Sequence, residues 1–293
     1  MTNPTDDSLC PRRSVLYMPA ANERALEKAK TIPADAIIFD LEDAVAPDAK
    51  PDARAKAVAA VGSREYGGRE LTIRCNGLDT QWGADDIAAA GAAAPSAVVI
   101  PKVDSVAMVD EVARLLAEAG APDSLSIWPM IETPAAIFNV RGIAAHPRVA
   151  VLIMGTNDLA KELRAPLVAG RHPLVPHLAT ALLAAREAGK VAVDGVYNDV
   201  KDPEGFEAEC RQGMEMGFDG KTLIHPSLVE PANDVWAPSA DEIEYASRVI
   251  EAFDAAVAEG KGVVTVDGRM IENLHVDNAR RTLAVADAIA ALG

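Results

Sequence analysis

Two carboxylates occupy matching points in the chain. Glu132 in "PMIETPAAI" and Asp158 in "VLIMGTNDLA" each follow a short apolar run and precede a stretch of helical composition. Brought together, they offer two hard oxygen ligands to one cation and leave its other positions to water and substrate, the usual way of holding Mg²⁺. Zinc suits the pattern poorly, because the comparable positions supply one His, His225 in "LIHPS", and no Cys. Other ionisable residues recur at run ends: Asp40, Glu42 and Asp43 in "DLEDAV", Arg74 in "LTIRC" and Lys102 in "IPKV". Arg74 brings a planar fork of N–H donors suited to a carboxylate or a developing oxyanion. The acidic group beside it would hold that fork in place.

Each residue also has a purely structural reading. Thr156, Asn157 and Asp158 are good helix N-caps, Glu42 or Asp43 could pair with Arg74 only to neutralise buried charge, Lys102 could snorkel, and His225 could cap a helix at Pro226. Only the elements that carry these residues can bring them to one place.

Those elements recur with a regular alternation. Eight β-rich apolar runs stand at 14–18, 36–41, 71–75, 97–101, 125–131, 149–154, 191–195 and 218–224. Between them lie segments such as "NERALEKAK", "SVAMVDEVARLLAEAG" and "HLATALLAAREAGK", whose spacing is helical and whose length suffices to cross back over a sheet. Strand and helix repeated eight times predict an α/β fold, a (β/α)₈ TIM barrel, in which chemistry sits where strands end and loops lead into helices. A doubly wound sheet would usually carry a Gly-rich fingerprint after its first strand, and "YMPAANERA" has none. The ionisable residues above then all fall on the functional rim. We expect a catalytic barrel over 12–235 and a C-terminal helical extension over 236–293, with helices in "SADEIEYASRVIEAFDAAVAEG" and "NARRTLAVADAIAALG" around the unassigned "KGVVTVDGRMI".

Composition narrows the partners. The 293 residues are 49% hydrophobic but only 4% aromatic, a core of Ala, Val, Leu and Ile suited to helices layered on a parallel sheet. A net charge of −16 speaks against nucleic acid or an anionic membrane surface. Cys10, Cys75 and Cys210 are odd in number and lack metal-ligand spacing, as expected of reduced thiols in a cytoplasmic protein. "MTNPTDDSLCPRR" is acidic where a signal peptide would be basic and then apolar, and no apolar run approaches membrane-spanning length.

Seven ordered segments, "RSVLYMPAANERALEKA", "IIFDLEDAVAPDAK", "IRCNGLDTQWGADDI", "VIPKV", "PMIETPAAI", "GTNDLA" and "GFDGKTLIHPSLVEPAN", closely resemble the HpcH/HpaI aldolase and citrate lyase beta-subunit superfamily, especially its malyl-CoA lyase and malyl-CoA thioesterase branch. The resemblance implies a TIM barrel with Mg²⁺ (or Mn²⁺) on Glu132 and Asp158, and Arg74 on the substrate's oxyanion or thioester oxygen, with Glu42 and Asp43 beside it. It implies a CoA thioester held with the help of Lys102, Gly155 and Thr156, its phosphates meeting a local basic patch of Arg12, Arg13, Arg24, Lys28 and Lys30. In CoA-dependent members the tail is a lid over a neighbouring subunit's site and carries a catalytic aspartate in a Met-hydrophobic-Asp motif. The matching "GRMIEN" puts Glu272 at that position, and a homo-oligomer, trimer or hexamer, follows. A second departure, "LAKELRAP" after Asp158, places Lys161 and Arg164 where relatives keep small residues. The leading expectation is retro-Claisen cleavage of a 3-hydroxy-dicarboxyl-CoA such as (S)-malyl-CoA to acetyl-CoA and glyoxylate. The alternatives are hydrolysis of the same ester, or a citrate lyase beta subunit acting on a carrier-bound thioester.

Overall fold

A computed structural model describes residues 9–292, so most of the acidic N-terminal segment and the final Gly lie outside the described residues. The eight apolar runs form β1 (Ser14–Pro19), β2 (Ala36–Asp40), β3 (Glu70–Arg74), β4 (Ala97–Ile100), β5 (Ser126–Ile131), β6 (Val151–Met154), β7 (Val191–Asp194) and β8 (Gly220–Leu223). They pair in chain order, all parallel, and β8 returns to β1 through Ser14 and Lys221, closing the barrel. Helices α1 (Glu23–Ala29), α2 (Lys50–Ser63), α3 (Gly83–Ala93), α4 (Val106–Glu118) and α5 (Pro134–Ala145) fill the first crossovers, α6 (Thr156–Leu163) and α7 (Val175–Glu187) share the sixth, α8 (Pro203–Met216) fills the seventh, and α9 (Val229–Trp236) follows β8. This is the (β/α)₈ barrel expected from the alternation.

Strands buried on both faces must be apolar throughout, which is why β2, β4, β6 and β7 read as near-continuous runs. Inside the barrel Val15, Ile38, Val99, Val151, Ile153 and Val193 pack around the indole of Trp128, and Ala36 and Ala97 in the same cluster leave it room. The guanidinium of Arg12, just before β1, lies 5.3 Å from the Trp128 ring centroid and donates to Glu70 at 2.6 and 2.8 Å. That end of the barrel is occupied by packing and ion pairs, so the open rim is the opposite one.

Strand register decides which residues meet there. Asp40 and Arg74 are direct partners across β2 and β3. Ile131 pairs with Met154, so the next residues along, Glu132 and Gly155, emerge side by side.

A buried charge cluster ties β7 and β8 to the segment before α7. Asp194, fully buried, accepts from Arg171 Nη1 at 2.7 and 2.8 Å and from Lys221 Nζ at 2.9 Å. Burial alone would push its carboxyl up, but Lys221 and Arg171 outweigh that and hold it below the usual carboxylate range.

Contacts divide the described chain into two compact units, 12–235 and a second made of 9–11 with 236–292. In the second, α10 (Ala240–Ala258) and α11 (Asn273–Leu292) flank a ribbon of β9 (Val264–Val266) and β10 (Arg269–Ile271). Val249, Phe253, Val266, Ile271 and Val276 form its core. The ribbon turns on Asp267 and Gly268, both at positive φ (50° and 77°), the Asp-Gly chemistry of a two-residue hairpin. The Asp-Gly pair is itself the turn signal within "KGVVTVDGRMI". Among the described residues no helix is long and apolar enough to cross a membrane.

Removing Asp194 would leave Arg171 and Lys221 buried with Glu209, 2.8 Å from Lys221 Nζ and 3.5 Å from Arg171 Nε, as the one carboxylate beside both among the described residues. Asp194→Ala is therefore expected to destabilise the fold by about 3–5 kcal/mol, measured as a lower denaturation midpoint; an unchanged midpoint would show that the cluster does not hold the barrel.

Candidate active site

A cavity of about 320 Å³ opens at the rim, lined by Tyr17, Asp40, Asp43, Arg74, Met130, Glu132, Gly155, Thr156, Asp158 and Val196 among others. Residues more than a hundred positions apart in sequence meet here because each ends a strand or opens the following loop.

Arg74 is the most heavily paired group in the cavity. It is only 7% exposed, and its Nε and Nη2 donate to Asp40 Oδ1 and Oδ2 at 2.6 and 2.7 Å, a bidentate fork. Glu42 lies 2.7 Å from Nη1 and Asp43 3.4 Å from it. The second Nη2 hydrogen, of the five a guanidinium carries, has no partner among the described residues. Below the fork, the ring of Tyr17 stands 4.8 Å from the guanidinium carbon. Burial keeps the Tyr17 phenol protonated well above its ordinary range. Burial likewise pushes the Glu42 carboxyl up to about 7; Arg74 pulls it down, and Asp43 and Asp40 push it up.

Glu132 is 2% exposed and follows β5 directly. Its Oε1 accepts the backbone N–H of Lys102 at 2.7 Å. Lys102 adopts φ 50°, a left-handed conformation that costs a non-glycine residue about 1–2 kcal/mol. Thus its backbone holds Glu132, while its exposed side chain reaches toward the acidic rim. Desolvation lowers the Lys102 pKa, but Glu42, Asp158, Glu132 and Asp43 outweigh it and raise the value overall. Glu132 itself is pushed up to about 7, chiefly by burial, against the Lys102 N–H and with the added repulsion of Glu42 and Asp158.

The capping alternative for Asp158 does not apply. Helix α6 starts from Gly155 with no side-chain cap bond, and the Asp158 carboxylate makes no hydrogen bond or ion pair among the described residues. A half-buried carboxylate without a partner beside one that burial holds near pKa 7 suits a divalent cation, which would neutralise both. No group of three or more His, Cys, Asp or Glu able to hold a metal occurs among the described residues. Two carboxylates match Mg²⁺, which keeps several positions for water and substrate.

Gly155 lines the cavity and also has a steric task. A Cβ there would fall 2.1 Å from Glu132 Oε2 and 2.4 Å from Glu132 Cβ. The missing side chain is the space the carboxylate occupies. Thr156, buried at 3% exposure, lines the cavity next to it.

The basic patch does not assemble. Arg12 and Arg13 precede β1 and sit at its far end, about 20 Å from the rim at ~3.3 Å per residue. Arg12 is committed to Glu70, Arg13 donates to Asp35 at 2.9 and 2.8 Å, and Lys30 pairs with Glu27 and Glu65. The structure thus removes Arg13 from the expected CoA contacts. Arg24 and Lys28 stay exposed on α1, and Lys28 borders a separate cleft with His225 and Ser227. His225 caps the short turn at Pro226–Leu228, as its structural reading had it. Glu272 belongs to the second unit, exposed just before α11, and its carboxylate makes no hydrogen bond or ion pair among the described residues.

Tyr17 was overlooked on sequence. Its signal was the spacing Val15, Tyr17, Pro19, which alternate onto one face of β1, so that an aromatic inward of a strand end had to meet the rim.

For the metal pair, Glu132→Gln, Asp158→Asn and Gly155→Ala are each expected to weaken Mg²⁺ binding by at least tenfold in calorimetric titration while circular dichroism stays native. The third acts only through displacement of Glu132, so wild-type affinity in Gly155→Ala would show that the carboxylate does not need that space.

Comparison with known proteins identifies the family. The sequence pattern of the HpcH/HpaI aldolase/citrate lyase family matches residues 13–226. A (3S)-malyl-CoA thioesterase of Cereibacter sphaeroides (strain ATCC 17025) is 52% identical over 283 residues, 97% of each chain. An L-malyl-CoA/beta-methylmalyl-CoA lyase of Cereibacter sphaeroides (strain ATCC 17029) is 33% identical and covers 96% of each. Among solved structures, protein CitE from Mycobacterium tuberculosis in complex with magnesium, acetoacetate and coenzyme A superposes with a TM-score of 0.77 at 28% identity, covering 95% of this chain and 99% of that one. Matched by the family pattern over most of its length and by these relatives, the chain belongs to the HpcH/HpaI aldolase/citrate lyase family of enzymes.

Proposed function

We propose that this enzyme hydrolyses the thioester of a 3-hydroxy-dicarboxyl-CoA such as (3S)-malyl-CoA, releasing malate and free CoA. The observation that carries this reading is the similarity along nearly the whole chain to a protein named a thioesterase, well above that to one named a lyase. Retro-Claisen cleavage, placed first on the sequence, becomes the second reading, supported by the more distant lyase.

Glu132 and Asp158 would hold Mg²⁺, which when bound would supply Lewis-acid polarisation to substrate oxygens. The thioester carbonyl oxygen lies against the unpartnered Nη2 hydrogen of Arg74, a donor that Asp40 prevents from turning away as charge develops. Glu42 accepts the proton of the attacking water; the C–O bond forms, the C–S bond breaks and the thiolate of CoA departs. Tyr17, Met130 and Val196 give the cavity an apolar wall that limits water to the attacking position. Thr156 and the backbone at Gly155 border the acyl group, and Lys102, Arg24 and Lys28 supply positive charge for the anionic ester. Lid and assembly complete the proposal: the second unit closes over the site of a neighbouring subunit in a trimer or hexamer and brings Glu272 to the thioester.

Incubation with (S)-malyl-CoA and Mg²⁺ is expected to release free thiol and malate without glyoxylate. Glyoxylate together with acetyl-CoA would put the lyase reading in its place, and turnover of a carrier-bound ester alone would make the chain a citrate-lyase-type subunit. A base must be unprotonated, so the rate of thiol release is expected to fall about tenfold per pH unit below roughly 7, following Glu42. Glu42→Gln should abolish most of the rate at every pH.

For Glu272, the Ala variant is expected to lower thiol release by at least tenfold, and mixing it with Arg74→Ala should restore part of the activity if the lid works between subunits. An unchanged rate in Glu272→Ala would take the residue out of the reaction.

A further inference from the structure

We infer that Lys50 is a positioning residue for this reaction, setting the carboxylate of Glu42 by holding the carbonyl side of the 41–44 turn. The inference rests on reading Glu42 as the proton acceptor.

Lys50 opens α2 and is 6% exposed. Its Nζ donates to Leu41 O at 2.9 Å, Glu42 O at 2.8 Å and Asn76 Oδ1 at 2.7 Å. Three hydrogens meet three acceptors, so the ammonium is saturated. All three oxygens are neutral, and the ring of Trp82 covers the nitrogen at 5.1 Å from its centroid. The second acceptor side of the turn is tied down as well: Asn76 Nδ2 donates to Leu41 O at 3.0 Å and to Asp86 Oδ2 at 2.6 Å, and Asp86 is anchored in turn by Arg54 at 2.6 Å.

The donor side of the same turn belongs to Asp40. Its Oδ1 accepts the N–H of Glu42 at 2.9 Å and its Oδ2 that of Ala44 at 3.2 Å, while both oxygens also take the Arg74 fork. With its N–H groups pinned from one side and its carbonyls from the other, the turn has no freedom to swing Glu42. The charged groups acting on Glu42 are Arg74, Asp43, Asp40, Lys102 and Glu132, and Lys50 reaches it only through the backbone.

A burial of this kind is hard to explain by stability alone. Taking an ammonium out of water is costly and is repaid poorly by neutral oxygens. Packing α2 against the barrel needs only an apolar side chain. Bringing one donor to the carbonyls of two successive residues and to the loop after β3 needs a long stem with several hydrogens on a single atom, which is what lysine provides.

Lys50→Met keeps the stem and removes the donors. Arg54→Met serves as the comparison, since it breaks the same buried network one step away without touching the turn. Released from its clamp, Glu42 moves toward water and its pKa falls toward the ordinary range. Lys50→Met is therefore expected to lower kcat for thiol release by about ten- to a hundredfold, the scale of a misplacement near 1 Å. KM should stay within about twofold, and the acid limb of the pH profile should move down by about one unit; Arg54→Met should leave that limb in place. Lys50→Arg keeps the buried charge but spreads its donors over a plane, so it should hold the denaturation midpoint closer to wild type and still lose kcat, which covers the case of Lys50→Met failing to fold. A wild-type kcat and pH limb in the folded Lys50 variants overturn the inference. So does a loss of rate that only follows the denaturation midpoint, as in Arg54→Met, with the limb unmoved. Glu42→Gln, measured alongside, separates the two layers: retention of its activity defeats the proton-acceptor reading itself, whereas an inactive Glu42→Gln beside unaffected Lys50 variants defeats only the positioning.

Discussion

The bidentate pair between Asp40 and Arg74 is the interaction on which the rest of the site depends. A guanidinium this deeply buried needs an anion in matching geometry, and adjacent parallel strands supply one only at a particular register. Here Asp40 and Arg74 are cross-strand partners at the last positions of β2 and β3. The same carboxylate accepts the N–H groups of Glu42 and Ala44. One aspartate therefore orients the arginine, shapes the turn after β2 and fixes the distance between Arg74 and Glu42. Slipping either strand by one residue would turn the side chain to the other face and lose all three.

Charge in the cavity is arranged for a ligand that is not part of the polypeptide. Asp40, Glu42, Asp43, Glu132 and Asp158 surround Arg74 and Lys102, in a protein already strongly acidic. An anionic acyl-CoA would be repelled by such a rim unless a divalent cation and partial protonation removed some of the negative charge. The raised pKa values of Glu42 and Glu132 come first from burial, and the neighbouring carboxylates add to it. The cation that the donor set suits would act on the field of the whole cavity as well as on the oxygens it touches.

Much of this was legible in the sequence, for a definite reason. Parallel strands inside helices must be apolar along their length, so the eight runs stand out, and the residue after each run is the one the fold delivers to the rim. Glu132, Asp158, Arg74 and the Asp40–Asp43 group could be found in this way. Arg12 and Arg13 misled because closeness in sequence to a strand says nothing about which end of it they occupy; they enter β1, whereas the site gathers where strands exit. The roles of Lys50 and Lys102 were invisible for another reason. Both act through backbone groups, Lys50 by donating to carbonyls and Lys102 by offering its own N–H from a left-handed conformation, and a backbone partner leaves no mark in the sequence. The outcome of the chemistry, hydrolysis or carbon–carbon cleavage, was not legible either, because both demand the same cation, arginine and carboxylate.

The contact between Gly155 and Glu132 has an evolutionary consequence. The glutamate fills the volume that any side chain at 155 would claim, so the two positions are a single character spread over two codons. Shortening the metal-facing carboxylate would free only the space of its end, because a Cβ at 132 would still stand 2.4 Å from one at 155. Among diverged barrels of this kind the glycine should therefore outlast the acid, so that a lineage which has lost its carboxylate still carries the mark of where it stood.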